Sequence, residues 1–391
     1  MGSSKITSLF TGLKPFSARN PHEPHRVASA LELLFDLIFV VAIATAGQQL
    51  HHSLIENHLS SGLIHYFMVF FALWWAWMNF TWFASAYDND DAFYRVMTFV
   101  QIIGSLVIAA GISEAFQQNN FDVIIIGYVI MRLGLVTQWF RVVGADPLRR
   151  GTALRYVGGI VAVQVAWLLF HFVASQWAVP IFVLLVIAEL SIPWIAESHQ
   201  TTPWHPHHIA ERYALLTLIV LGESIVGSYS AIVDALAQQA VSVELIALMV
   251  GGLILMFTMW WAYFDHEVAD GLNTRQRAFV WGYGHFFIFV AIAILGASLA
   301  ACVDVVTQHA KVSDLWMGYA VAIPLIIYTA SLWLLHESHA NAGIKKALYP
   351  LSTVVVLAIP YFLSAIGYSV LAMALIYALR LILSKRYLRQ S

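Results

Sequence analysis

Apolar residues occupy this chain in long blocks, and polar residues gather between them. Each block is about 20 residues long, the length an α-helix needs to cross the hydrocarbon core of a bilayer. The pattern predicts twelve spans, at 31–50, 62–86, 95–115, 121–142, 153–174, 177–196, 211–235, 243–265, 277–303, 315–336, 346–363 and 365–384. The last two are divided only around Ser364, so they read as two helices or as one re-entrant unit. The expectation is an all-α polytopic membrane protein. Residues 1–26 form a cytoplasmic N-terminal tail, 27–200 a first membrane half, and 201–391 a second half with a short cytoplasmic tail.

The two halves carry related patterns. Glu32 opens the first span and Glu211 the seventh, and Gly47 and Gly227 follow at nearly equal distances. The next span of each half holds a Trp-Trp pair, in "LWWAWMN" (Leu73–Asn79) and "MWWAYFD" (Met259–Asp265). An acidic loop and an arginine, Arg95 or Arg277, come after each. This spacing predicts two six-helix repeats. Six is even, so the repeats are parallel, one of the recognised ways to build a transporter.

Composition agrees with the hydropathy pattern. The chain of 391 residues is 60% hydrophobic and only 11% charged, against about 25% charged in a soluble domain. The net charge of −2 says little about partners. Basic residues say more. Of the 20 Lys and Arg, 18 fall on the side of the N-terminus, Lys311 falls on the other side, and Arg132 lies within a span. By the positive-inside rule both termini are expected in the cytoplasm. The one cysteine, Cys302, excludes an internal disulfide and any multi-cysteine metal site. No cleavable signal peptide is expected, because the run from Leu31 is full length and lacks a small-residue cleavage site.

Ionisable residues inside spans are costly, about 2.5–3.5 kcal/mol each on the insertion scale, and they face the bundle interior or a water-filled cavity. Glu32 and Asp36 are four apart, so they share one face of the first helix. They read either as a proton or cation site or as a structural pair neutralised by an arginine. Glu223 is the deepest acid and is flanked by Gly222, Ser224, Gly227 and Ser228. It reads as a protonatable or substrate-facing carboxylate, or as a buried ion-pair partner. Arg132 is expected to meet Glu32, Asp36 or Glu223, or an anionic substrate. Glu189, near the cytoplasmic end of its span, reads as structural and within reach of water. Glu211 reads as a helix-entry acid, favourable at the positive end of the dipole. His285 titrates in the physiological range if it is not simply a satisfied core histidine.

Sixteen histidines raise the question of metal or haem. "TTPWHPHHIAER" offers His205, His207, His208 and Glu211, and the loop after the tenth span offers His336, Glu337 and His339. Neither spacing matches a closed site, and no metal or cofactor is assigned. The zinc-protease signature is absent; "HEVAD" ends in Asp270 and lies in a loop. No phosphate-binding glycine loop and no G-x-S-x-G elbow occurs, so no catalytic residue and no enzymatic activity is assigned.

Five stretches, "ELLFDLIFVVAIA" (Glu32–Ala44), "LWWAWMNFTW" (Leu73–Trp82), "HIAERYALLTLIVLGESIV" (His208–Val226), "MWWAYFD" and "YGHFFI" (Tyr283–Ile288), together resemble the bacterial low-temperature-requirement A family, over roughly residues 25–340. The resemblance implies a multi-pass protein of the bacterial cytoplasmic membrane. It brings no activity, substrate or residue role with it. The expected function is secondary transport of a small solute, with a proton as coupling ion. Glu223, Glu32, Asp36 and Arg132 then line a polar pathway, with Glu211 and His285 as further candidates. The alternatives are a non-transporting sensor or assembly factor and, less favoured, a metal, haem or redox protein. The partner assigned is the lipid bilayer; no nucleic acid and no oligomeric state is assigned.

Overall fold

Twelve α-helices and no strands are found among the described residues of the chain, in a computed structural model. These residues are 17–24, 26–238, 241–265, 269–272, 274–310, 312–337 and 345–388, without the side chains of 270, 337, 345–347 and 385–388. Lys5, Lys14, Lys311, Arg389, His339 and residues 266–268 of the "HEVAD" loop lie outside them. The helices are α1 (Ala30–Ile55), α2 (Leu59–Tyr87), α3 (Ala92–Gln118), α4 (Asp122–Ala145), α5 (Arg150–Phe170) and α6 (Ser175–Ala196), then α7 (Pro206–Ala237), α8 (Val243–Phe264), α9 (Arg275–Val306), α10 (Asp314–Leu332), α11 (Lys345–Phe362) and α12 (Ile366–Leu388). Eleven are long and apolar enough to cross a membrane. The exception is α11, whose apolar run, Leu348–Phe362, is short for a full crossing. It is nonetheless a separate helix from α12, with the break at residues 363–365.

Local chemistry sets several helix starts. Ser29 and Glu32 form a capping box on α1: the Glu32 N–H donates to Ser29 Oγ at 3.3 Å, and the Ser29 N–H donates to Glu32 Oε2 at 2.7 Å. Asp91 caps α3 by accepting from the Tyr94 N–H at 2.9 Å, and Ser242 caps α8 through the Leu245 N–H at 3.0 Å. Pro206 is the first residue of α7, where a missing N–H does no harm. The helix therefore begins before residue 211, and His207 and His208 are helical rather than in a loop.

The chain divides into two compact units, residues 1–42 with 71–212 and residues 43–70 with 213–391. Helices α1, α2 and α7 each contribute to both. In the first unit α3 and α4 make the most extensive pairing, followed by α5 with α4 and α6 with α5. Gly104 and Gly127 let α3 and α4 touch backbone to backbone: a Cβ on either would lie 2.6 Å from the other's carbonyl oxygen. Polar side chains join the same pair, Gln101 donating to Gln138 at 3.0 Å. In the second unit α8 pairs most closely with α12, and α9 with α10. Small residues line α9, and its Gly296 lies against Ser224 of α7, whose hydroxyl donates to the Ile292 carbonyl at 3.1 Å.

Candidate functional site

In the first unit the i, i+4 acids of α1 meet an i, i+4 pair on α7. Glu32 and Asp36 lie one turn apart, as do His208 and Arg212. Arg212 forks onto Asp36, with Nε donating to Oδ2 at 3.0 Å and Nη2 to Oδ1 at 2.5 Å. Its Nη1 donates to Glu32 Oε1 at 2.9 Å. Trp77 of α2 completes the Asp36 site by donating Nε1–H to Oδ1 at 2.7 Å. His208 Nε2 lies 3.0 Å from Glu32 Oε1, and the guanidinium of Arg26 lies 3.6 Å from Glu32 and 3.5 Å from Asp88. The side chains of Glu32, Asp36, His208 and Arg212 are all essentially inaccessible. The sequence reading counted Arg212 among the loop cations. The structure buries it instead as the counter-ion of both acids.

Arg132 meets neither Glu32 nor Asp36. Its partner is Glu189 of α6, at 3.4 Å, with both side chains 1% exposed. Glu189 also accepts hydrogen bonds from Trp75 Nε1 (2.9 Å), Tyr128 OH (2.8 Å), Gln164 Nε2 (3.2 Å) and Trp167 Nε1 (3.2 Å). Arg132 Nη2 also donates to the Tyr128 hydroxyl. Water reach, expected from the position of Glu189 near its span end, is absent: five donors from α2, α4 and α5 enclose the carboxylate. Trp75 and Trp77, in the first Trp-rich motif, thus serve two different buried acids. In the second motif Trp260 and Trp261 are each 48% exposed and Tyr263 faces inward.

Glu211 is half-buried and accepts the Ala28 N–H at 3.2 Å, which ties the segment before α1 to α7.

In the second unit, a cavity of about 250 Å³ opens among α1, α7 and α9. Gln48, His51, Glu223, Ser224, Ser230, Asp234 and Asp304 supply its polar lining, and no Lys or Arg lines it among the described residues. Glu223 is half-buried in the middle of α7, and no hydrogen bond or ion pair to it is found among the described residues. His51 Nε2 and Asp304 Oδ2 pair at 2.6 Å. Asp304 is thus a cavity residue. His285 does not line the cavity. Its Nδ1 is 2.8 Å from the Trp281 carbonyl and its Nε2 is 3.1 Å from the Tyr263 hydroxyl, so both ring nitrogens are engaged in an aromatic cluster.

A sequence model described as "Bacterial low temperature requirement A protein (LtrA)" matches residues 27–383, which extends the likeness through the last spans. An "Uncharacterized protein RA0937" of Rhizobium meliloti (strain 1021) is 26% identical, over 68% of this chain and 68% of that protein. No solved structure matches.

Proposed function

The chain belongs to the bacterial low temperature requirement A (LtrA) family, and from that premise we propose that it is a secondary transporter of a small solute in the bacterial cytoplasmic membrane. The observation that carries the proposal is Glu223, a membrane-embedded carboxylate on a cavity that no Lys or Arg lines among the described residues. Such a charge is best compensated by a bound proton or by a cationic group of a solute. A volume of about 250 Å³ falls just below the roughly 300–1,000 Å³ of pockets that hold drug-sized ligands, which favours a small solute. The parallel repeat read from residues 27–200 and 201–391 suits a carrier, and the Lys and Arg distribution favours cytoplasmic termini.

Proteoliposomes with an imposed pH gradient, an internal pH dye and a panel of small solutes test the proposal. The wild-type chain is expected to couple proton movement to one solute, and Glu223→Gln to lose that coupling while remaining folded. If Glu223→Gln moves solute and protons as the wild type does, Glu223 has no such role. A second reading is a non-transporting sensor or assembly partner. It is favoured by the closed ion pairs of the first unit, Arg212 with Glu32 and Asp36 and Arg132 with Glu189. It predicts that wild-type vesicles show no coupled flux for any solute.

A further inference from the structure

Charges in the first unit do not balance around Glu32. Four acids face one another there: Glu23 from the segment before α1, Glu32 and Asp36 from α1, and Asp88 from the α2–α3 loop. Three guanidiniums answer them: Arg19 and Arg26 from the first segment and Arg212 from α7. Among the described residues, further titratable groups on the packed elements are Asp91 at the start of α3, paired with Arg141, Tyr94 of α3, His205 just before α7, and His208, the half-buried Glu211 and Tyr213 of α7. His205 Nε2 lies 3.0 Å from the Glu23 carbonyl oxygen, and Asp90, next to Asp88, is paired with Arg95 at 2.7 Å. Among the described residues, four acids against three guanidiniums leave one negative charge. Its surroundings are closed, since the Arg26 and Asp88 side chains are 5% and 4% exposed. An unbalanced charge in such a place is unfavourable, and taking up a proton removes it.

A second observation marks the same place. Among the described residues, Arg26 Nε and Nη2, His208 Nδ1 and the Tyr94 hydroxyl are buried without a hydrogen-bond partner. His208 Nε2 lies 3.0 Å from Glu32 Oε1. The charged neighbours of the Tyr94 hydroxyl begin with Asp88 and Glu32. Orphaned polar atoms on three elements converge on the spot where the charge is uncompensated, and buried polar groups ordinarily have partners.

We infer that this network is a proton-binding site, seating one exchangeable proton chiefly on Asp88, with His208 as the minor seat. Either seat makes the network neutral. On Asp88 the acid becomes a neutral hydroxyl donor beside Arg26; on His208 an imidazolium faces Glu32. The Asp88 carboxyl is pushed up to about 6, by burial first and by the charge of Glu32 second, despite Arg26 and Arg19. Arg212 remains committed to Asp36 and Glu32 in both forms, so the proton moves without opening that ion triad. The inference concerns the first unit alone and does not depend on the role of Glu223 in the second.

Infrared difference spectroscopy of the purified full-length chain tests it. The carbonyl band of a protonated carboxylic acid is expected to appear in the wild type as pH falls through about 6. Asp88→Asn is expected to abolish that band, and Glu223→Gln to leave it. His208→Gln removes the alternative seat, so the Asp88 carboxyl band is expected to keep or gain amplitude, with its midpoint unchanged or slightly lower. Arg26→Gln adds to the excess of acid and shifts the midpoint upward, which locates the proton even if Asp88→Asn does not fold. A wild-type chain with no titrating carboxyl band between about pH 5 and pH 7 overturns the inference. So does a band unmoved by Asp88→Asn, or by Arg26→Gln where the former does not fold.

Discussion

Arg212 satisfies two acids at once, and it does so with a shape that lysine lacks. The planar guanidinium places two donors on Asp36 and a third on Glu32. An ammonium is a point charge that cannot reproduce the fork. Arg212→Lys is therefore expected to destabilise the folded chain, and Arg212→Ala more so, by about 3–5 kcal/mol, because two buried carboxylates then lose their counter-ion. Thermal melting in detergent measures both; an Arg212→Ala chain that melts with the wild type would remove the ion triad from any account of stability. Much of this was legible. The sequence placed Glu32 and Asp36 on one face and asked for an arginine between them. It missed which arginine, because Arg212 was counted with the loops. The available signal was Pro206, a helix-starting residue that puts His208 and Arg212 one turn apart inside α7.

At the scale of helices, close crossings depend on a few glycines. Gly104 and Gly127 sit where α3 and α4 approach within a Cβ's reach of backbone. A Cβ at Gly104 would meet the Gly127 carbonyl oxygen at 2.6 Å and the Met131 backbone nitrogen at 2.8 Å as well as the Met131 side chain, so Gly104→Ile is expected to separate the pair, lowering the melting temperature and the yield of folded protein. Gly222→Ala is the control: nothing lies within 4 Å of a Cβ built at that position, so it is expected to be neutral or slightly stabilising. Equal losses from both would mean that close packing at Gly104 does not govern the effect. These glycines are indistinguishable by pattern alone, since a small residue in a span marks close approach only once its neighbour is known. The sequence read existence and type of the helices well, because about 20 apolar residues leave few other structures in lipid. It read pairing poorly. Arg132 was assigned to the acids of α1 or to Glu223, whereas Glu189 holds it through an aromatic and amide shell gathered from three helices.

For the whole molecule, the buried acid excess makes stability depend on pH. Asp88 in the folded chain titrates near 6, above its ordinary value of 3.8, so the folded state holds a proton that the unfolded chain releases. The stability from this group is full below about pH 4 and is lost as pH rises through about 6, for a total of about 2–3 kcal/mol. Melting temperatures are expected to fall across that window, and Asp88→Asn to flatten the slope. A wild-type slope unchanged by that substitution would assign the effect to another group. The ion triad also has a consequence for how the protein is made. Glu32 and Asp36 leave the ribosome 180 and 176 residues ahead of Arg212. Until α7 is synthesised, Glu32 has Arg26 beside it, but Asp36 has no guanidinium, and an unpaired acid within a span is unfavourable in lipid. Nascent chains cut off before α7 are therefore expected to hold α1 less firmly in the bilayer than chains that include it.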